Sequence, residues 1–253
     1  MIRIVLSVAL LVTGYMLICA YFYFQQRSML YFPVPARGSL ETIDVPTDLD
    51  GIRASVANPS APHALVYFGG NAEDVSITAE ELADRFPDAA IYALHYRGYG
   101  ESSGSPSESA LVADASALLS LVQQNHDSVR VVGRSLGSGV AIQASVGQPV
   151  AGMALVTPFA SIREIGSRAF PFLPVSLLIK DAFDSADYTN RLACPVIVII
   201  AEHDAVIPRW STDDLVDSFQ DPGQVQVSIL HGRGHNDVQL DPQYWALVYG
   251  SPQ

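Results

Sequence analysis

Val129-Arg130-Val131-Val132-Gly133-Arg134-Ser135-Leu136-Gly137-Ser138-Gly139-Val140-Ala141-Ile142 is the stretch on which the reading of this chain turns. A short β-branched run, a sharp turn and an apolar helix start follow one another without a spacer. Glycine stands two places before and two places after Ser135, where a serine on a strained strand-to-helix turn needs backbone without a Cβ beside it. A helix that begins just after the serine aims its first N–H groups and the positive end of its dipole at the hydroxyl, which suits a developing oxyanion. The stretch predicts a nucleophile elbow with Ser135 as the nucleophile. The competing reading of Ser135 is a small residue at a close helix–strand crossing.

Working outward, strands are expected at Thr42–Val45, Ile52–Val56, Ala64–Phe68, Ala90–His95, Val129–Val132, Val150–Val156, Val196–Ile200 and Val225–Leu230. Helical spacing falls between them at Ile77–Arg85, Pro106–Gln124, Leu136–Val146 and Trp210–Phe219, with a shorter pattern at Pro242–Tyr249. Strands alternating with helices predict an α/β fold with a mostly parallel central sheet flanked by helices. The alternation breaks over Pro158–Tyr188, which reads as a short cap inserted at the sheet edge. A second Gly-x-Ser-x-Gly occurs at Gly100-Glu101-Ser102-Ser103-Gly104. Ser105-Pro106-Ser107-Glu108 carries the cap, proline and glutamate signals of a helix start, so Ser102 is expected in a mobile polar loop ahead of that helix. Gly98-Tyr99-Gly100 is a poor dinucleotide fingerprint, because Ser103 takes the third glycine's place, and no cofactor is expected.

An activated serine needs a base and a carboxylate, which in this architecture follow it in the order Ser, Asp or Glu, His. His203, His231 and His235 lie after Ser135. His235, in Gly232-Arg233-Gly234-His235-Asn236-Asp237 beyond the last strand, is the expected base, with His231 as the alternative. Asp204, at the carboxyl end of the Pro195–Ala201 apolar run, is the expected carboxylate, with Glu202 and Asp184 as alternatives and a helix cap or turn as the bland role. His231 and His235 stand four apart, but glycines at 232 and 234 argue against a helix presenting them together, and no metal is expected. Gly69-Gly70-Asn71-Ala72 closes an early strand. Its Asn71 N–H, with Gly70 as the alternative, would pair with the Leu136 N–H as an oxyanion hole, unless the segment is a plain tight turn.

The chain has 253 residues, with 14 Lys and Arg against 26 Asp and Glu, for a formal charge of −12. That sign disfavours phosphate backbones, so nucleic acid is not an expected partner. Two cysteines, Cys19 and Cys194, make no disulfide framework. From Ile4 to Phe24 there is no charge and no proline, a run of roughly 30 Å as a helix, with Tyr21 and Tyr23 near its end and Gln25-Gln26-Arg27 after it. Residues 1–27 are expected to be a single-pass membrane anchor rather than a cleaved signal peptide, and residues 28–253 the folded domain with its cap around 158–190. Arg3 with the amino terminus nearly balances Arg27 and Arg37, and the domain is expected, by a narrow margin, on the non-cytoplasmic face. The sequence is silent on oligomeric state.

These residues resemble the alpha/beta-hydrolase fold serine hydrolases, in particular their membrane-anchored, short-lid branch that includes protein depalmitoylases and lysophospholipases. The likeness covers about residues 29–240. Besides Ser135, Asp204 and His235 it rests on Tyr96-Arg97-Gly98-Tyr99-Gly100-Glu101-Ser102-Ser103-Gly104-Ser105-Pro106-Ser107-Glu108, on Pro158-Phe159-Ala160-Ser161-Ile162, on Phe183-Asp184-Ser185 and on Gly234-His235-Asn236-Asp237. The branch commonly has His-Gly-Asn where this chain has Gly69-Gly70-Asn71. The resemblance implies hydrolysis of an ester or thioester of a small-molecule or lipid acyl substrate through an acyl-enzyme. The competing expectations are a non-catalytic binding domain on the same fold, and hydrolysis of amide or peptide bonds by the same residues.

Overall fold

In the computed structural model, which describes residues 1–250, eight segments rich in β-branched, aromatic and small apolar residues pair into one sheet. They are β1 (Thr42–Asp44), β2 (Arg53–Ala57), β3 (His63–Phe68), β4 (Ala89–Leu94), β5 (Ser128–Arg134), β6 (Gly152–Val156), β7 (Val196–Ala201) and β8 (Val225–Leu230). Their order in space is β1-β2-β4-β3-β5-β6-β7-β8. The pairs β1 with β2 and β2 with β4 are antiparallel, and every other pair is parallel. All eight expected strands are present. The helices are α1 (Ile2–Leu30), α2 (Val75–Arg85), α3 (Glu108–Gln123), α4 (Leu136–Ala144), α5 (Ile162–Ala169), α6 (Val175–Leu178), α7 (Arg209–Asp217) and α8 (Tyr244–Tyr249).

The pleat divides each strand between two layers. Val66, Val131, Met153 and Val196 form one row across β3, β5, β6 and β7, and they pack with Leu111 and Leu118 of α3 and Val140 and Ile142 of α4. The next row, Tyr67, Val132, Ala154 and Ile197, packs on the opposite side with Val75, Ala79 and Leu82 of α2 and Val248 of α8. Both faces are therefore covered, which is why the central strands read as near-continuous apolar runs. Burying one such Leu or Val side chain is worth about 1.5–3 kcal/mol.

Two local details differ from expectation. Helix α3 starts two residues later than its proline signal: Ser107, not Ser105, is the cap, its Oγ accepting from the Ala110 N–H at 3.3 Å. Glu108 does not reach back to close a capping box, because its carboxylate takes Gln143 Nε2 at 2.8 Å and its N–H donates to Asp181 Oδ1 at 3.0 Å. Nor is Ser102 in a loose loop. It is buried, donating to the His95 carbonyl at 2.6 Å and accepting from the Arg53 N–H at 2.8 Å.

Between β6 and β7 the chain builds a cap from α5, α6 and a 3-10 helix at Ser185–Arg191. Helix α1 has 29 residues, about 43 Å at 1.5 Å per residue, and is long and apolar enough to cross a membrane by length and composition. Its first turns are exposed, whereas Tyr15, Cys19, Phe22, Gln26 and Leu30, three or four residues apart, lie along one face. Four of these meet the domain directly. Tyr15 Oη donates to the Phe172 carbonyl at 3.0 Å, the rings of Phe22 and Phe170 lie 6.0 Å apart, Gln26 Nε2 donates to the Leu178 carbonyl at 3.0 Å, and the Leu30 carbonyl accepts from Asn71 Nδ2 at 2.6 Å. The helix continues unbroken through Arg27, whose guanidinium grips buried Asp181 of the cap at 2.7 and 3.1 Å.

Candidate active site

The elbow follows from what a Cβ would meet there. One built on Gly133 would lie 2.5 Å from the Gly137 carbonyl and 2.7 Å from Ala141 Cβ, and one on Gly137 would lie 2.0 Å from the Phe68 carbonyl. Only with both positions empty can β5 turn directly into α4. The turn leaves Ser135 at φ 49° and ψ −116°, a conformation L-residues rarely adopt and one that costs roughly 1–3 kcal/mol. The Ser135 N–H donates to the Val156 carbonyl at 2.8 Å, which pins the turn to the end of β6.

Three expected residues come together at the carboxyl edge of the parallel strands, Ser135 after β5, Asp204 after β7 and His235 after β8. His235 Nε2 lies 3.0 Å from Ser135 Oγ, and its Nδ1 lies 2.8 Å from Asp204 Oδ2. The His235 and Asp204 side chains are only 9% and 10% exposed. Burial works to raise the Asp204 pKa, but the hydrogen bond from His235 and those from the Val206 and Ile207 N–H groups, both 2.8 Å, outweigh it. The carboxyl is held below its ordinary range and stays ionised wherever an imidazole titrates.

The alternatives sit elsewhere. Glu202 accepts from the Gly232 N–H at 2.7 Å and lies 3.3 Å from exposed His231, while Asp184 holds Ser161 at 2.6 Å and Arg163 at 2.6 Å inside the cap.

At the β3–α2 loop the Gly70 N–H donates to Glu73 Oε2 at 2.6 Å and is thereby engaged, whereas the Asn71 and Leu136 N–H groups have no acceptor among the described residues. The loop lies against the serine: a Cβ on Gly70 would be 3.6 Å from Ser135 Cβ. A Cβ on Gly69 would meet Val75 Cγ1 at 2.3 Å, so in this chain Val75 fills the space that a larger residue at position 69 would need.

Residues that sequence patterns did not single out hold this loop. Glu73, 10% exposed, accepts from Tyr67 Oη and Thr78 Oγ1, both at 2.7 Å, and pairs with Arg134 at 3.4 Å, whose Nη2 reaches the His235 carbonyl at 3.4 Å. The Glu73–Arg134 pair thus joins the loop of Asn71, the elbow and the loop of His235. The Asn71 side chain is fixed as well, its Oδ1 accepting from Tyr99 Oη at 2.8 Å and from the Phe32 N–H at 2.9 Å. Burial pushes the Tyr99 phenol up to about 12, so it remains a donor at neutral pH. Arg134 occupies a variable place in the Gly-x-Ser-x-Gly pattern, which therefore carried no signal for it.

The constellation pairs a serine hydroxyl with a buried imidazole, an ionised carboxylate behind it, and two free N–H groups beside it. Among the described residues no cluster of His, Cys, Asp and Glu is suited to a metal ion.

Comparison with known proteins agrees with this picture at the level of fold. The family described as serine aminopeptidase, S33, matches residues 60–181. An uncharacterized protein of Mycobacterium tuberculosis is 33% identical over 256 residues, covering 94% of this chain and 89% of its own. Alpha/beta hydrolase domain-containing protein 17B of Xenopus laevis is 31% identical over 193 residues, covering 74% of this chain and 65% of its own length. Among solved structures, an esterase of Pyrococcus furiosus superposes with a TM-score of 0.65 at 16% identity, covering 85% of this chain and 94% of that one. An esterase of Pyrobaculum calidifontis does so at 0.58 and 16%, covering 89% and 86%.

Proposed function

We propose that this chain, which has the alpha/beta-hydrolase fold, is a membrane-anchored serine hydrolase that cleaves carboxylic ester or thioester bonds of a lipidic acyl substrate. The observation that carries the serine mechanism is the continuous relay from Ser135 Oγ to His235 Nε2 at 3.0 Å and from His235 Nδ1 to Asp204 at 2.8 Å. In the mechanism we draw from it, His235 takes the hydroxyl proton as Ser135 Oγ attacks the acyl carbon. Asp204 keeps Nδ1 protonated and stabilises the imidazolium. The tetrahedral oxyanion is received by the Asn71 and Leu136 N–H groups, donors whose positions are set before substrate arrives. Collapse passes the proton from His235 to the leaving oxygen or sulfur and leaves the acyl group on Ser135. A water deprotonated by His235 then releases the carboxylic acid and restores the serine.

The anchor rests on α1, whose apolar surface is exposed through most of its length. Held in a bilayer, it keeps the site beside acyl substrates at the membrane surface.

The test is to mix the full-length protein with a p-nitrophenyl ester, quench within the first turnovers and map the product by mass spectrometry. A nitrophenolate burst with the acyl mass on the Ser135 peptide is the expected result. Turnover without an acyl adduct would overturn the covalent route, and no turnover of ester, thioester or anilide would favour a binding domain on this fold.

A further inference from the structure

A cavity of about 440 Å³ lies between the last turns of α1 and the cap, with Phe22, Met29 and Leu30 on one wall and Ile165, Phe170 and Leu178 on the other. The size is that of a small-molecule site. Only two of its lining residues, Gln26 and Asp181, carry polar side-chain groups, and both are engaged elsewhere. Gln26 donates to the Tyr23 and Leu178 carbonyls at 2.9 and 3.0 Å and accepts from the Lys180 N–H at 2.7 Å. The Asp181 carboxylate is held by Arg27 and the Glu108 N–H. The cavity therefore offers an occupant apolar contact and no free hydrogen-bonding group, which suits a hydrocarbon chain and excludes a headgroup.

Its two ends point to where that chain comes from and goes. At one end is Leu30, whose carbonyl accepts from Asn71, the residue with a free backbone N–H that follows Gly70, which lies against Ser135. At the other, about 12 Å away along the helix, Phe22 meets Phe170. Beyond Phe170 the cap tip leaves apolar side chains uncovered, Phe172 at 60% and Leu177 at 83% exposure, and Tyr15, near the middle of the Ile4–Phe24 run, bonds the Phe172 carbonyl. If α1 lies in a bilayer, the cap tip lies at the same depth, and the outer end of the cavity opens onto lipid chains rather than water.

Resting on the hydrolase reading above, we propose that this cavity is the acyl-chain site, and that the long acyl chain of a membrane lipid enters it sideways from the bilayer, between α1 and the cap. The anchor is then one wall of the substrate site as well as a tether. Substrates with long acyl chains are favoured over short ones, because a long chain can lie along the apolar cavity while a short one leaves it empty.

The experiment reconstitutes full-length protein in phosphatidylcholine vesicles that contain a phospholipid with a diazirine on its acyl chain, irradiates, and maps the cross-links. Cross-links on cavity residues such as Met29, Ile165 and Leu178 are expected. Cross-links confined to outward residues of α1, such as Leu10 and Leu17, would overturn the proposal. In parallel, Ile165→Trp and, on the same wall, Leu178→Trp should lower the ratio of kcat/KM for p-nitrophenyl laurate to that for the butyrate at least tenfold. An unaltered ratio in variants that still react with a fluorophosphonate at Ser135 would also overturn it. The cross-linking arm needs no turnover, so a wild type that labels in the cavity but hydrolyses nothing would sink the hydrolase reading while leaving the chain site standing.

Discussion

Ser135 holds a strained backbone because Gly133 and Gly137 leave the space for it, and Asp204 stays ionised because His235 and two N–H groups bond it. Two outcomes follow at this scale. Gly137→Ala puts a Cβ 2.0 Å from the Phe68 carbonyl, with no flexible side chain to give way, so it should cost about 3 kcal/mol or more. A thermal melt reads this as a Tm lower by several degrees, and a Tm equal to wild type would mean that the elbow is looser than the geometry says. Asp204→Asn should keep the fold, by circular dichroism, yet lower kcat/KM by roughly 10⁴-fold, since an amide no longer selects the imidazole tautomer that faces Ser135 with a free lone pair. A loss under tenfold would remove Asp204 from the relay.

At the scale of elements, the β3–α2 loop, the elbow and the loop after β8 meet on the Glu73–Arg134 pair. Glu73→Gln keeps the shape but removes the charge facing Arg134. If the network positions the Asn71 N–H, kcat falls about tenfold with KM nearly constant, which steady-state kinetics on a short-chain ester would reveal. A rise in KM alone would point instead to a role in binding. The elements themselves were largely legible in the sequence: strands announced by Val and Ile runs, and Ser135, Asp204 and His235 by their places after three of them. The bracing was not. Glu73, Tyr99 and Phe32 act through contacts between distant segments, and neither periodicity nor a cap motif records which loop a carboxylate or phenol will face. Local signals place the start of α3 two residues early for a similar reason, because Asp181, 73 positions from Glu108, takes the N–H that a capping rule assigns to the helix's own first turn.

For the whole molecule, α1 is fastened to the domain from Tyr15 onward: Tyr15 to Phe172, Arg27 to Asp181 and Leu30 to Asn71. Its first turns are exposed, and among the described residues their side chains form no hydrogen bond or ion pair with the domain. Removing residues 2–14 should therefore leave a folded enzyme that binds vesicles more weakly, whereas removing residues 2–30 also strips Asn71 and Asp181 of partners and should lower the Tm markedly. Flotation with phosphatidylcholine vesicles and melting curves on both deletions would separate the two, and equal stability of the two deletions would show the docking to be dispensable. The sequence marks the apolar run that forms α1, but not that its far end leans on the loop beside Ser135, because a uniformly apolar helix carries no stripe to announce its buried face.

The central claim is that Ser135 is an activated nucleophile. Its most direct test is to label full-length protein in detergent with a fluorophosphonate probe beside its Ser135→Ala variant. Labelling of the wild type at Ser135 and none of the variant is the predicted result. A folded wild type that does not label, or a variant that labels equally, would contradict it.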